Sequence, residues 1–286
     1  MKVLLLGATG YLGGNIAYRL VEAGHDVTCV VRSTSDTSRL EKLNVQVISN
    51  DLNEIEIFFK FNKVDWVING VCTYKTNGTL YGDLLISNLI FPLSVLNLAV
   101  KYKVDGFITM GTSLPKGLNH YSYTKGQFAE FGRFLSERDG IKFADLNLEM
   151  FYGGLFEPTD RFISSCREKL IRNERISLTK GVQKRDMVRV EDVVGIISSL
   201  IDSDHLQGFM ALPVGSGESH SIREVIEYMK AELGSGSVLD FGAIPSRAGE
   251  PDTLADISWY RDIGYELKYR FYDGLKEECK IHRIDS

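Results

Sequence analysis

The sequence predicts an α/β protein, a doubly wound parallel sheet followed by a smaller C-terminal lobe. Three observations predict it. Short aliphatic runs alternate with helical patterns through the first 150 or so residues; the first run ends in a glycine-rich turn that opens directly into a helix; and the alternation changes rhythm after Gly154. Strands covered by helices on both faces read as continuous aliphatics, which is how these runs read.

Taken in order, Lys2-Val3-Leu4-Leu5-Leu6 is the first strand, followed by Gly7-Ala8-Thr9-Gly10-Tyr11-Leu12-Gly13-Gly14 and a helix over 15–23. In that helix Ile16, Leu20 and Ala23 share a face, and Gly24 closes it. Strands follow at 26–31 and 45–48, then a short helix after Asp51-Leu52, a strand at 64–71 and a polar loop at 72–82. A long helix over 83–103 carries Leu84, Leu85, Leu89, Leu93, Leu96 and Val100 at three-four spacing, with Asn88 on the same stripe. Pro92 falls inside it and predicts a kink. A strand at 106–110, a helix at 121–138 and a strand at 141–146 complete six alternations. Beyond 154 the pattern gives helices near 161–173, 191–201 and 221–233, with strands near 176–178, 209–212 and 238–241. The division expected is a nucleotide-binding domain over 1–154, rejoined by about 191–212, and a substrate-binding lobe made mostly of 155–286.

Composition narrows the function classes. A chain of 286 residues with 44% hydrophobic and 25% charged content is an ordinary globular protein. Its net charge of −5 argues against general nucleic-acid or anionic-membrane binding, so an anionic ligand must be held by local arginines and helix N-termini. Cys29, Cys72, Cys166 and Cys279 are widely spaced, with no metal-ligand pattern, and read as free thiols of a cytoplasmic protein. No uninterrupted apolar run reaches the ~18 residues of a membrane span, and the first strand begins too early for a cleavable signal.

Glycines at 7, 10 and 13, at a strand-to-helix turn, permit a tight reversal, close approach of backbone to a diphosphate, and close helix–strand packing. The first turn of the helix then faces an anion with its free N–H groups and dipole. This context makes the sheet Rossmann-like and the turn a dinucleotide site. At the end of the second strand stands Arg32, with no acid beside it until Asp36. An acid there binds a ribose 2′-hydroxyl, whereas an Arg accommodates a 2′-phosphate, so NADP(H) is expected over NAD(H).

Tyr121 and Lys125 are four residues apart and therefore stacked on one helix face. A neighbouring ammonium favours phenolate and tunes the hydroxyl for proton transfer near neutrality. Thr112, at the end of the preceding strand, is placed to share the same substrate oxygen. His120 reads as a helix-entry residue and Cys72 as a small apolar filler.

Here the chain resembles the extended short-chain dehydrogenase/reductases that act on nucleotide sugars, the NAD-dependent epimerase/dehydratase family. The resemblance rests on Thr9-Gly10-Tyr11-Leu12-Gly13, Asp51-Leu52, Asn88, Thr112, Tyr121 with Lys125, Tyr152-Gly153, Arg185-Asp186 and Arg247-Ala248-Gly249-Glu250. It implies that Thr112, Tyr121 and Lys125 are catalytic, and that Lys125 also binds the nicotinamide ribose. It further implies that Asp51 meets the adenine, that Asn88 lies on the helix behind the active site, and that Arg185 and Arg247 hold the substrate diphosphate. Thr73, Ser113 and Phe162 are further substrate contacts expected, and Glu149 reads either as another or as a buried acid paired with an Arg. The stretches 146–153, 184–194 and 240–244 are similar to the reductases that make CDP-3,6-dideoxyhexoses. The resemblance also implies a homodimer through the helices at 83–102 and 121–138.

Departures from the family pattern matter too. Ser113-Leu114 stand where its 4,6-dehydratases carry an Asp-Glu pair, and Leu cannot move a proton, so dehydration is not expected. Met150 replaces a substrate-binding Asn, and only eight residues separate Thr112 from Tyr121. The leading expectation is NADPH-dependent reduction at C4 of a nucleotide-linked deoxysugar, in deoxysugar and O-antigen polysaccharide synthesis. The alternatives are a nucleotide-sugar 4-epimerase with tightly held NAD, and a non-catalytic NADP-sensing regulator.

Overall fold

The computed structural model describes residues 1–74, 80–246, 249 and 251–280. In chain order the elements are β1 (Lys2–Leu6), α1 (Tyr11–Glu22), β2 (Asp26–Val31), β3 (Gln46–Ser49), α2 (Leu52–Phe61), β4 (Trp66–Asn69) and α3 (Tyr81–Leu85). A π-helical turn (Ile86–Ile90) leads to α4 (Phe91–Lys101), β5 (Gly106–Met110), α5 (His120–Asp139), β6 (Lys142–Leu148) and β7 (Met150–Tyr152). Then come α6 (Phe162–Ile171), β8 (Ile176–Leu178), β9 (Lys184–Arg189), α7 (Val190–Asp202), β10 (Phe209–Val214), β11 (Ser219–Ser221), α8 (Ile222–Leu233), β12 (Leu239–Phe241) and α9 (Phe271–Lys280).

The chain divides into two compact units, one of Met1–Leu148, Val194–Leu212 and Asp262–Tyr265, the other of Glu149–Val193, Pro213–Arg261 and Glu266–Ser286. Among the described residues the first unit is built on a seven-stranded sheet in the order β10-β6-β5-β4-β1-β2-β3. The β1–β2, β1–β4, β2–β3, β4–β5 and β5–β6 pairs are all parallel. This is the doubly wound Rossmann-like arrangement, whose ligands bind outside the carboxyl ends of the strands where the winding reverses, here beside β1 and β4. Leu4, Leu6, Val67 and Phe107 from the strands pack with Ile55, Leu96, Phe128 and Leu135 from the helices.

The helix expected over 83–103 is three segments in the structure. A proline lacks the N–H that would bond four residues back, and its ring crowds that carbonyl. The π-turn just before Pro92 absorbs the mismatch, and Pro92 sits in the first turn of α4, where its missing donor is least costly. The expected kink is thus a change of helical register. By length and composition alone Tyr81–Lys101 is apolar enough to cross a membrane, with mean hydropathy 1.7. One face of it packs against α2 and α5, as a core helix does.

α1 also begins earlier than expected, at Tyr11, inside the glycine turn. The second unit holds a three-stranded sheet, β11-β9-β7, and a two-stranded one, β12-β8. Its core joins Tyr152, Ile163, Leu170, Met187, Val225, Ile226, Phe271 and Leu275. Arg189 and Arg167 both pair with Glu278, which fixes α9 to β9 and α6 through buried charges. β7, β9, β11 and α9 were not read from the sequence as elements, because each is short or strongly polar.

Candidate active site

The glycine turn has the shape its residues dictate. Gly7 has φ +80°, and a Cβ on it would lie 2.9 Å from the Gly70 carbonyl carbon. A Cβ on Gly13 would lie 2.0 Å from the Gly7 oxygen, so α1 can close on the turn only with glycine there. Gly10 is the N-cap of α1; it supplies no capping side chain, and no acid occupies the first turn. That leaves a positive helix end suited to a diphosphate, which the residues present therefore fit. Tyr11 is buried in the first turn, while Thr9 and Leu12 are half-exposed at its rim.

Asp51 is the N-cap of α2, its carboxylate accepting from the Asn53 N–H at 2.8 Å and the Glu54 N–H at 3.3 Å. Leu52, next to it, is exposed. Arg32 is exposed beyond β2.

Thr112 follows β5 on a segment still held against β6, with Gly111 N–H donating to Leu146 O and Ser113 N–H to Leu148 O. Its hydroxyl accepts from the Leu114 N–H at 3.3 Å and acts on the Tyr121 phenol. Tyr121 lies in the first turn of α5, fixed by a reciprocal cap in which Ser122 N–H donates to Asn119 Oδ1 and Asn119 N–H to Ser122 Oγ. Lys125 is buried one turn further on, its ammonium donating to the Val71 carbonyl at 3.2 Å. His120 begins the helix and meets the Tyr81 ring edge-on at 4.5 Å.

The electrostatics differ from expectation in one respect. Burial raises the Tyr121 pKa well above the usual phenol range, and Tyr74 and Cys72 push it the same way, while the Thr112 hydrogen bond opposes them. Burial lowers the Lys125 pKa itself, with Cys72 and Asp145 opposing. Desolvation outweighs the one-turn cation because both groups are packed into the sheet–helix interface.

Asn88, in the π-turn, holds the loop after β4. Its Oδ1 accepts from Thr73 N–H at 2.8 Å, and its amide donates to Thr73 O at 2.9 Å and Thr124 Oγ1 at 3.2 Å. Thr73 is thereby placed by its backbone, with the ring of Tyr74 next to it tilted by 31° against that of Tyr121, at 4.7 Å between ring centres.

A cavity of about 290 Å³ opens beside the triad, lined by Thr112, Ser113, Lys125, Asp145 and Asn147 among others. Asp145 is buried, and burial lifts its pKa to about 6 against the opposing pull of Lys125. Sequence reasoning missed Tyr74 and Asp145. Nothing marked Tyr74, but an acid within the apolar run Phe143-Ala144-Asp145-Leu146 was a readable signal.

The first unit thus brings together Thr112, Ser113, Tyr121, Lys125, Asn88 and Thr73. Three further candidates belong to the second unit. Arg185 is buried on β9, its Nη1 donating to Lys184 O and Pro251 O, each at 2.8 Å. Glu149 is buried, and Phe162 opens α6 against that unit's core. Arg247 lies outside the described residues.

A family model described as the NAD dependent epimerase/dehydratase family matches residues 3–208. The CDP-abequose synthase of Salmonella muenchen is 25% identical over 288 residues, covering 96% of each chain. The solved UDP-glucose 4-epimerase of Thermotoga maritima, in complex with UDP-glucose, superposes with a TM-score of 0.86 at 19% identity, over 100% of this chain and 99% of that one. The UDP-glucuronic acid 4-epimerase of Bacillus cereus, solved with UDP-glucuronic acid and NAD, gives 0.85 at 20% identity over the whole of both chains. These two are 4-epimerases, and the second holds NAD. They overturn the expectations of NADP(H) as cofactor and of NADPH-dependent C4 reduction as activity. Arg32 was a weak basis for both. An exposed guanidinium stacks on an adenine face as readily as it meets a 2′-phosphate.

Proposed function

We propose, from the premise that this chain belongs to the NAD dependent epimerase/dehydratase family, that it is a nucleotide-sugar 4-epimerase working with a retained NAD. The observation that carries this reading is Thr112 acting on the Tyr121 phenol beside the carboxyl end of β5, with buried Lys125 one helical turn behind.

In this reading Gly7, Thr9, Gly10, Tyr11, Leu12 and Gly13 seat the dinucleotide diphosphate on the N-terminus of α1. Asp51 and Leu52 border the adenine, and Arg32 lies over the adenosine. Bound there, the oxidised nicotinamide supplies a reversible two-electron acceptor for the sugar C4 and a positive charge beside the phenol. Tyr121, as phenolate, removes the C4 hydroxyl proton and returns it after the sugar has presented its other face. Thr112 hydrogen-bonds the same oxygen as its charge changes. Lys125 holds the nicotinamide ribose and, as ammonium, favours the phenolate against burial. Asn88 keeps the Thr73 backbone in place. Ser113, Glu149, Phe162, Arg185 and Arg247 complete the substrate set, with the two guanidiniums on the diphosphate. Leu114, following Ser113, leaves no acid–base pair for dehydration.

The same reading includes a homodimer. Leu85, Ile86 and Ile90 on the Tyr81–Lys101 segment and Phe131 and Phe134 on α5 are exposed large hydrophobics. Large apolar side chains left exposed on two neighbouring helices suit a surface covered by a partner.

The test is direct. Purified protein is heat-treated and the released nucleotide identified, and UDP-, CDP-, GDP- and dTDP-hexoses are incubated with untreated protein without added dinucleotide. Bound NAD and interconversion at C4 are expected. A protein that binds NAD yet converts none of these hexoses overturns the proposal.

A further inference from the structure

Asp145 has no role in the reading above, yet it is buried against the groups that do. It lies on β6 opposite Thr109 of β5, and its side chain shares a cavity with Thr112 and Lys125. Gly111 makes room for it: a Cβ there would fall 2.3 Å from Asp145 Oδ1 and 3.1 Å from Asn147 Oδ1. Among the described residues Oδ1 accepts no hydrogen bond. A buried carboxylate oxygen without a donor is unfavourable, and in a packed strand a hydrocarbon side chain avoids that cost.

The charges around it explain its presence. Lys125 faces the cavity from α5, and Lys116 from the loop before that helix. Cys72, from the loop after β4, and Tyr121, from the first turn of α5, complete the titratable groups near Lys125. Lys125 is fully desolvated and makes one described hydrogen bond, to a neutral carbonyl. A buried ammonium in that setting sheds its proton unless an opposite charge is near. Cys72 and then Asp145 act against that loss, and Asp145 is the carboxylate of the two, lining the same cavity as Lys125.

We propose that Asp145 is a positioning residue: its carboxylate keeps Lys125 in the ammonium form, and through Lys125 sets the pH range in which Tyr121 works. This rests on the Tyr121–Lys125 assignment above. Removing the charge lowers the pH at which Lys125 becomes neutral, and Tyr121 then loses its cation at a pH where the wild-type enzyme still turns over.

The test is Asp145→Asn, which keeps shape and removes charge. Lys125 is followed by NMR of lysine labelled with carbon-13 at Cε, its resonance assigned by its loss in Lys125→Met, and kcat is measured against pH. The Lys125 midpoint and the alkaline limb of kcat should both fall by about one pH unit or more. Coupling between titrating groups is reciprocal, so in Lys125→Met the Asp145 carboxyl midpoint should rise. An Asp145→Asn protein with an unmoved Lys125 midpoint overturns the proposal. Should that variant not fold, an unmoved Asp145 midpoint in Lys125→Met does so. A wild-type chain without 4-epimerase activity refutes the functional reading but leaves both NMR titrations readable, so the two failures are distinct.

Discussion

Replacing Gly13 by alanine puts a methyl group 2.0 Å from the Gly7 carbonyl oxygen and 2.7 Å from its carbonyl carbon. Ordinary contact begins at 3.4 Å, so α1 and the turn must separate by about 1.4 Å. Gly7 has little room to yield, since its φ is +80° and even a Cβ built on it would lie 2.9 Å from the Gly70 backbone. Overpacking of this kind costs about 1–3 kcal/mol, and the better helix propensity of alanine returns at most ~1 kcal/mol. A net loss of about 1–2 kcal/mol lowers Tm by about 2–8 °C in a chain of this size. The first-turn amides of α1 move with the helix, so NAD affinity should fall at least about tenfold, or ~1.4 kcal/mol. Gly10→Ala is the control. Its Cβ meets nothing nearer than the Gly7 oxygen at 3.4 Å, at an N-cap with φ −78°. It should cost no more than about 1 kcal/mol. Thermal unfolding and calorimetric titration of NAD into dinucleotide-free protein measure both variants. Equal losses in the two, or none in Gly13→Ala, would refute the argument that the turn is closed by steric necessity.

Four further outcomes are expected. Tyr121→Phe should reduce kcat by about 10²–10⁴-fold while NAD affinity and Tm stay close to wild type, as loss of a proton-transfer group does; calorimetry and initial rates separate the two. Asn88→Ala removes the ties to Thr73 and Thr124, with distances of 2.8–3.2 Å, and should cost roughly 2–3 kcal/mol in denaturant unfolding, with kcat falling more than NAD affinity. Phe134→Glu, on the exposed apolar face of α5, should convert a dimer to monomers in sedimentation velocity. Asp145→Asn should raise Tm at pH 7–8 and leave it unchanged below about pH 4. The folded pKa of about 6 lies above the unfolded 3.8, so the folded state binds more protons between these values. The ionised group therefore costs stability, fully so above pH 6 and by roughly 3 kcal/mol at most.

The first unit was legible because its signals are local. Continuous aliphatics in β1, glycines where the backbone must turn, and the four-residue spacing of Tyr121 and Lys125 each follow from short-range geometry. What failed was long-range or solvent-dependent. The Tyr121–Lys125 spacing placed two groups on one helix face, but not the burial that raises one pKa and lowers the other. Arg32 was visible at the strand end, yet its exposure removes the force of a choice between dinucleotides. Asn88 was visible on the leucine stripe, whereas its grip on Thr73 depends on a register change forced by Pro92 four residues later. Tyr74 reaches Tyr121 from a loop whose path no periodicity describes.

Two buried aspartates show why burial alone does not assign a role. Asp186, on β9, accepts from Ser216 N–H and Oγ–H at 2.7 Å, from Gly217 N–H at 3.0 Å and from Ala255 N–H at 3.1 Å. Four donors satisfy the carboxylate, and it binds two loops to one strand; its function is architecture. Asp145 lies in the apolar run of β6 with one oxygen unmatched, sharing a cavity with an ammonium that is itself desolvated. Replacing a satisfied acid loses several bonds, whereas replacing an unsatisfied one relieves a cost. A residue that the fold would be more stable without, placed in the cavity that Lys125 lines, is explained by the protonation state it imposes on its neighbour. Stability and catalysis should therefore move in opposite directions in Asp145→Asn, and no purely structural role produces that combination.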